Sequence, residues 1–123
     1  MTEKKKTILS VKTPPRRGFF LPNDLLGIKD LNREQIVGIL ETASGIKAQM
    51  AVSDGPLDVL KGKTVINLFF EPSTRTRASF EIAARRLSAN LLTMTPQASS
   101  LTKGESLKDM TQNLEAMGPS LLI

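Results

Sequence analysis

Thr64-Val65-Ile66-Asn67-Leu68-Phe69-Phe70, followed at once by Glu71-Pro72-Ser73-Thr74-Arg75-Thr76-Arg77, decides how the rest of the chain is read. Thr64 to Phe70 is a short β-branched and aromatic run, apolar almost without interruption. A central strand of a parallel sheet has this composition, because helices cover both of its faces. Glu71-Pro72-Ser73-Thr74 breaks the strand and opens a helix in which Phe80, Ala83, Ala84 and Leu87 fall on one stripe, with Asn90 read as its C-terminal stop.

On the N-terminal side, Leu31-Asn32-Arg33-Glu34-Gln35-Ile36 has the form of a helix start. Asn32 caps, Gln35 stands three residues on, and Leu31 and Ile36 are spaced as a hydrophobic staple. Ile36, Ile39, Leu40, Ala43, Ile46 and Met50 continue one apolar face at helical spacing, so the helix is expected to end near Met50 to Val52. Ser53-Asp54-Gly55-Pro56 is turn chemistry, and Leu60-Lys61-Gly62-Lys63 leads into the strand.

On the C-terminal side, Leu91-Leu92-Thr93-Met94 predicts a short strand ended by Pro96, and the polar stretch 97–105 predicts a loop. Ser106-Leu107-Lys108-Asp109 resembles a capping start, and Leu107, Met110, Leu114 and Met117 mark a third amphipathic helix before Gly118-Pro119. Ser120-Leu121-Leu122-Ile123 begins another strand. The alternation of helix and strand implies βαβ units: an α/β fold, a parallel sheet with helices on both faces. A last apolar strand with no helix after it leaves part of such a sheet uncovered, so the chain is expected to be part of a longer protein. There is no internal repeat.

Composition narrows the chemistry. The chain has 123 residues, 40% of them hydrophobic, enough for one modest core. It has no Cys, His, Trp or Tyr. Thiolate nucleophiles, disulfides, zinc ribbons and imidazole bases are therefore excluded from this stretch, leaving hydroxyls, amides, cations and carboxylates. The absence of Cys suits a reducing compartment, and the expected location is the cytoplasm. The net charge of +5 is a property of residues 1–22, where Lys4, Lys5, Lys6, Lys12, Arg16 and Arg17 face Glu3 alone; the remainder is formally neutral. Pro14, Pro15 and Gly18 and the lack of apolar periodicity make 1–22 a basic tail expected to be disordered. The charge thus does not argue for a nucleic-acid-binding body. Lys4 to Lys6 are not followed by the apolar core of a secretory signal, and no run approaches the ~18 apolar residues of a membrane span.

The densest polar constellation spans Phe69 to Glu81, where the central strand ends and a helix begins. In open α/β sheets ligands bind at that end of the strands, and a helix N-terminus offers unpaired N–H donors and a partial positive charge. Ser73, Thr74 and Thr76 add hydroxyls, and Arg75 adds a planar fork suited to phosphate or carbonyl oxygens. Together they form a phosphate cradle without a Gly-rich loop. Ser73 or Thr74 can equally serve as N-cap, Arg77 and Glu81 read as a helix-supporting i, i+4 pair, and Arg85 and Arg86 as solvated side chains.

The run Phe70-Glu71-Pro72-Ser73-Thr74-Arg75-Thr76-Arg77, with Ser79-Phe80-Glu81, resembles the carbamoyl-phosphate signature of the aspartate and ornithine carbamoyltransferases. A second run, Ser99-Ser100-Leu101-Thr102-Lys103-Gly104-Glu105-Ser106, resembles the loop that aspartate carbamoyltransferases place in a neighbouring subunit's active site. The Lys-Gly-Glu-Ser form of that loop, and Phe-Glu-Pro without an extra residue, favour the aspartate enzymes. The resemblance covers about residues 24–123.

The resemblance implies that Ser73, Thr74, Arg75 and Thr76 hold the phosphate of carbamoyl phosphate, with Arg75 and Thr76 also reaching the carbonyl oxygen. Lys103, with Ser100 or Ser99, is supplied in trans, and the catalytic set is Arg75, Thr76 and Lys103. The implied reaction carbamoylates the amine of L-aspartate in pyrimidine biosynthesis, in a homotrimer, with no metal or organic cofactor and with no nucleic-acid or membrane partner. Regulatory or dihydroorotase chains are further partners known in the family. Family members continue with an Arg-His pair, further His and Gln residues and an aspartate-binding domain; residues 23–123 then correspond to a truncated carbamoyl-phosphate-binding domain, expected to be inactive by itself. The alternatives are an ornithine carbamoyltransferase and, from another class, a non-catalytic module that binds phosphate or a partner.

Overall fold

The computed structural model describes residues 24–95, 104 and 106–123. The expected basic tail, Pro96, and the expected 97–105 loop apart from Gly104 lie outside the described residues. The chain divides into two compact units, Met1–Ala48 and Gln49–Ile123.

The described part of the first unit is dominated by α1, Arg33–Val52, which runs on into the second. Its start is the reciprocal cap read from the sequence: the Gln35 N–H donates to Asn32 Oδ1 and the Asn32 N–H to Gln35 Oε1, each at 2.9 Å. The helix has no buried residue, and Leu40, placed on the expected apolar face, is exposed.

The second unit holds the sheet. The turn after α1 closes through Ser53, whose Oγ donates to the Gly55 carbonyl at 2.6 Å. A single 3-10 turn, Asp58–Leu60, and Gly62 at φ +77° then deliver the chain into β1, Thr64–Leu68. The strand is two residues shorter than its apolar run, because Phe69 and Phe70 already belong to the crossing loop. α2 spans Thr74–Arg86, β2 Asn90–Met94, α3 Leu107–Ala116 and β3 Leu121–Leu122.

The sheet order is β2-β1-β3, with both pairings parallel, so β1 is the central strand. Thr64 pairs with Asn90 and Leu68 with Met94 on one side, and Val65 and Ile66 with Leu121 and Leu122 on the other. The chain leaves β1 for one neighbour and returns across it to the other. With right-handed crossovers, α2 and α3 fall on opposite faces. Side-chain alternation agrees: Ile66 packs with Met110 and Leu114 of α3, joined by Leu68, Met94 and Leu122. Val65, Asn67 and Ala84 are buried, and α2 contacts both β1 and β2.

Three details differ from the sequence reading. The α2 stripe is rotated: Ala84 is buried and Leu87 half-buried, but Phe80 and Ala83 are exposed, and Arg77, Glu81 and Ala84 share the shielded side. Asn90 does not stop α2. Ser88 takes the left-handed position at φ 63°, with the Ala89 N–H donating to the Ala84 carbonyl at 3.0 Å and the Ser88 N–H to the Arg85 carbonyl at 3.1 Å. That is a Schellman ending, and Asn90 becomes the first residue of β2, its N–H donating to the Lys63 carbonyl. In α3 only the middle of the apolar stripe is covered, with Met110 and Leu114 buried and Leu107 and Met117 exposed.

Candidate functional site

α2, which follows β1, packs on one face of the sheet, whereas α3, which follows β2, packs on the other. The C-terminal edge of β1 and β2 is therefore a switch point, the place where ligands bind in open α/β sheets. An open cleft of about 290 Å³ lies there, lined by Phe69, Phe70, Glu71, Pro72, Ser73, Thr74, Arg77 and Thr95. Its β1 side comes from the strand-to-helix loop and the first turn of α2, and its β2 side from Thr95, one residue beyond Met94.

Ser73 is the N-cap of α2, at φ −104° and ψ 97°. Its Oγ accepts from the Thr76 N–H at 3.4 Å and donates to Thr76 Oγ1 at 3.0 Å. The choice between Ser73 and Thr74 as cap is thus settled for Ser73, and Thr74 is the first helical residue. Uncapped N–H groups of this first turn supply the donors and the positive end of the helix dipole beside the cleft. No acidic residue stands in that turn to cancel the field.

Of the sequence-predicted residues, Ser73 and Thr74 line the cleft. Arg75 and Thr76 are exposed on the same first turn without lining it. Lys103 and Ser100 lie outside the described residues. Arg77, read as a supporting residue, does both jobs: its Nε stands 3.6 Å from Glu81 Oε1, and the side chain also lines the cleft. Thr95 was missed, although a strand lying parallel to β1 must end at the same edge of the sheet.

Beneath α2 lies a second polar feature that the sequence did not disclose. Asn67 is fully buried, and both its Oδ1 and Nδ2 lack hydrogen-bond partners among the described residues. Thr93 Oγ1 and Arg77 Nε are also shielded and without a hydrogen-bond partner; the contact of Arg77 with Glu81, at 3.6 Å, is an ion pair too long to be a hydrogen bond. An orphaned buried polar group costs about 1–3 kcal/mol, so the fully buried Asn67, with Thr93 as its register partner on β2, departs from ordinary packing.

Comparison with known proteins bears directly on this strand–turn–helix. The family model described as aspartate/ornithine carbamoyltransferase, carbamoyl-P binding domain, matches residues 23–123. The chain belongs to the aspartate/ornithine carbamoyltransferase family. It is 47% identical over 104 residues to an aspartate carbamoyltransferase catalytic subunit of Geotalea daltonii, covering 85% of this chain and 33% of the relative. It is 50% identical over 104 residues to that of Syntrophobacter fumaroxidans, covering 85% and 34%. Among solved structures, the catalytic subunit of M. jannaschii aspartate transcarbamoylase superposes with a TM-score of 0.70 at 39% identity, over 80% of this chain and 32% of that one. Aspartate transcarbamoylase from Trypanosoma cruzi, in complex with carbamoyl aspartate and phosphate, gives 0.70 at 27% identity, over 80% and 31%. The chain spans about a third of the length of these family members. No described helix is long and apolar enough to cross a membrane.

Proposed function

We propose that this chain supplies the carbamoyl-phosphate-binding part of an aspartate carbamoyltransferase, which transfers the carbamoyl group to the amine of L-aspartate and releases phosphate. The observation that carries this reading is the capped N-terminus of α2, with Ser73 and Thr74 facing a cleft at the switch between β1 and β2. Family membership supplies the substrate, and the relatives named above are aspartate rather than ornithine enzymes.

The chemistry follows from the residue types. Ser73, Thr74 and the first-turn N–H groups hold the phosphate by hydrogen bonds aligned with the helix dipole. The amine attacks the carbamoyl carbon, and negative charge grows on its oxygen. Arg75 and Thr76 stabilise that charge as preorganised donors before the C–O bond to phosphate breaks. No covalent nucleophile is required. Arg75 and Thr76, outside the cleft lining, reach the substrate from the exposed side of the first turn. Lys103 and Ser100 complete the site of a neighbouring subunit in a cytoplasmic homotrimer. Residues 1–22 are a tail apart from the binding domain.

The full-length protein assayed with carbamoyl phosphate should carbamoylate aspartate. Carbamoylation of ornithine alone would overturn the acceptor assignment. Phosphate binding without transfer to either amine would favour a non-catalytic module.

A further inference from the structure

The N-terminus of α2 supplies its donors from one side of the cleft. Ser73, Thr74 and the first-turn N–H groups all stand on the β1 side, whereas a bound phosphate carries oxygens in several directions. Among the described residues that line the cleft, Thr95 alone comes from the β2 side. Its placement is fixed by the sheet. Leu68 pairs with Met94, and the Phe69 N–H donates to the Met94 carbonyl at 2.9 Å, so the ladder holds the chain up to the residue before Thr95. Leu68 and Met94 pack with Met110 and Leu114 of α3. Alternation along an extended strand then turns Thr95 to the other face, the one that carries α2. It is half-buried there, at the edge of the sheet where ligands bind.

Residue types narrow what Thr95 can do. Phe69, Phe70 and Pro72 present apolar side chains to the cleft, an ionised Glu71 only accepts hydrogen bonds, and Arg77 is paired with Glu81. The Ser73 hydroxyl donates to Thr76 Oγ1 at 3.0 Å. Thr74 and Thr95 are therefore the lining hydroxyls that can donate to an anion without giving up a hydrogen bond among the described residues. We propose that Thr95 is a further substrate-binding residue, its hydroxyl donating to a phosphate oxygen of carbamoyl phosphate from the β2 wall while the α2 N-terminus holds the same phosphate from the β1 wall. The proposal rests on the carbamoyl-phosphate reading of Ser73 to Thr76. The phosphate oxygens carry their charge before reaction, whereas charge on the carbamoyl oxygen grows only during it. The Thr95 contact therefore contributes to binding more than to the chemical step.

Near-isosteric variants of the full-length protein test the contact. Thr95→Val removes the hydroxyl at nearly constant volume, and Thr95→Ser keeps it. Thr95→Val should raise the KM for carbamoyl phosphate about ten-fold, the effect of losing one hydrogen bond to a charged group, with kcat and the KM for aspartate little changed. The inhibition constant of inorganic phosphate should rise by the same factor, because the lost contact is to the phosphate. Thr95→Ser should recover most of the lost affinity. If Thr95→Val does not fold, Thr95→Ala against Thr95→Ser carries the same comparison. Wild-type values of the carbamoyl-phosphate KM and of phosphate inhibition in Thr95→Val would overturn the proposal while leaving the function intact. Equal losses in Thr95→Val and Thr95→Ser would overturn it too, marking a packing role. So would a rise confined to the KM for aspartate, which would put Thr95 beside the acceptor. A wild type that responds to neither carbamoyl phosphate nor inorganic phosphate would overturn the functional reading and the proposal with it.

Discussion

Ser73 Oγ is shared twice with one residue: it accepts from the Thr76 N–H at 3.4 Å and donates to Thr76 Oγ1 at 3.0 Å. The hydroxyl that ends the strand-to-helix loop therefore also holds the side chain of a residue proposed to act on substrate. Helix capping and anion binding draw on the same atom, which makes the two separable by substitution.

Ser73→Ala should cost about 1 kcal/mol of stability through the lost cap and should also weaken phosphate binding. Ser73→Asp keeps a capping oxygen but places a negative charge at the cleft. It is expected to retain wild-type stability in thermal unfolding while losing phosphate affinity in a calorimetric titration. Parallel loss of both properties in Ser73→Asp would contradict separate roles.

Arg75 and Arg77 should respond differently to truncation. Arg75 is exposed and has no ion-pair partner among the described residues, whereas Arg77 pairs with Glu81. Arg75→Ala is expected to reduce kcat of the full-length enzyme by about 10²–10³-fold, the usual effect of deleting a transition-state donor, with little change in unfolding. Arg77→Ala should lower melting temperature measurably, because it leaves Glu81 half-buried without its partner. It should also raise the KM for carbamoyl phosphate.

Shared sites predict complementation. Arg75→Ala and Lys103→Ala subunits, each inactive alone, should regain part of the wild-type activity when mixed, denatured and re-formed as trimers. Activity that stays at background in re-formed mixed trimers would count against Lys103 acting in trans.

The core makes a prediction independent of function. Leu114 is 4% exposed and packs with Ile66 and Met110, whereas Leu107, one helix end away, is 52% exposed. Leu114→Ala should destabilise by about 2–5 kcal/mol, and Leu107→Ala by roughly 0.5 kcal/mol or less. Denaturant unfolding of the two variants side by side checks the difference.

Much of this protein was legible in order along the chain, because the signals are local. Asn32 and Gln35 cap α1 reciprocally, Ser106 caps α3, and the apolar run from Thr64 became the central strand. Local signals were weaker where competing stops existed: Ser88, not Asn90, ended α2 in a left-handed conformation, which Asn adopts more readily than Ser. Helical periodicity also could not say which face of α2 meets the sheet, since Phe80, Ala83 and Ala84 are all apolar and only Ala84 is covered.

The sequence by itself determined the strand, the Ser73 to Thr76 turn and the helix that follows, because caps, turns and apolar runs act over a few residues. Only the tertiary structure decided that Thr95 and Arg77 join Ser73 and Thr74 around one cleft, and that Asn67 and Thr93 face each other under α2 with no side-chain hydrogen-bond partner among the described residues. Those relationships depend on the parallel register of β1 against β2, a contact between residues 26 apart in the chain at Asn67 and Thr93, which no local pattern of side chains encodes.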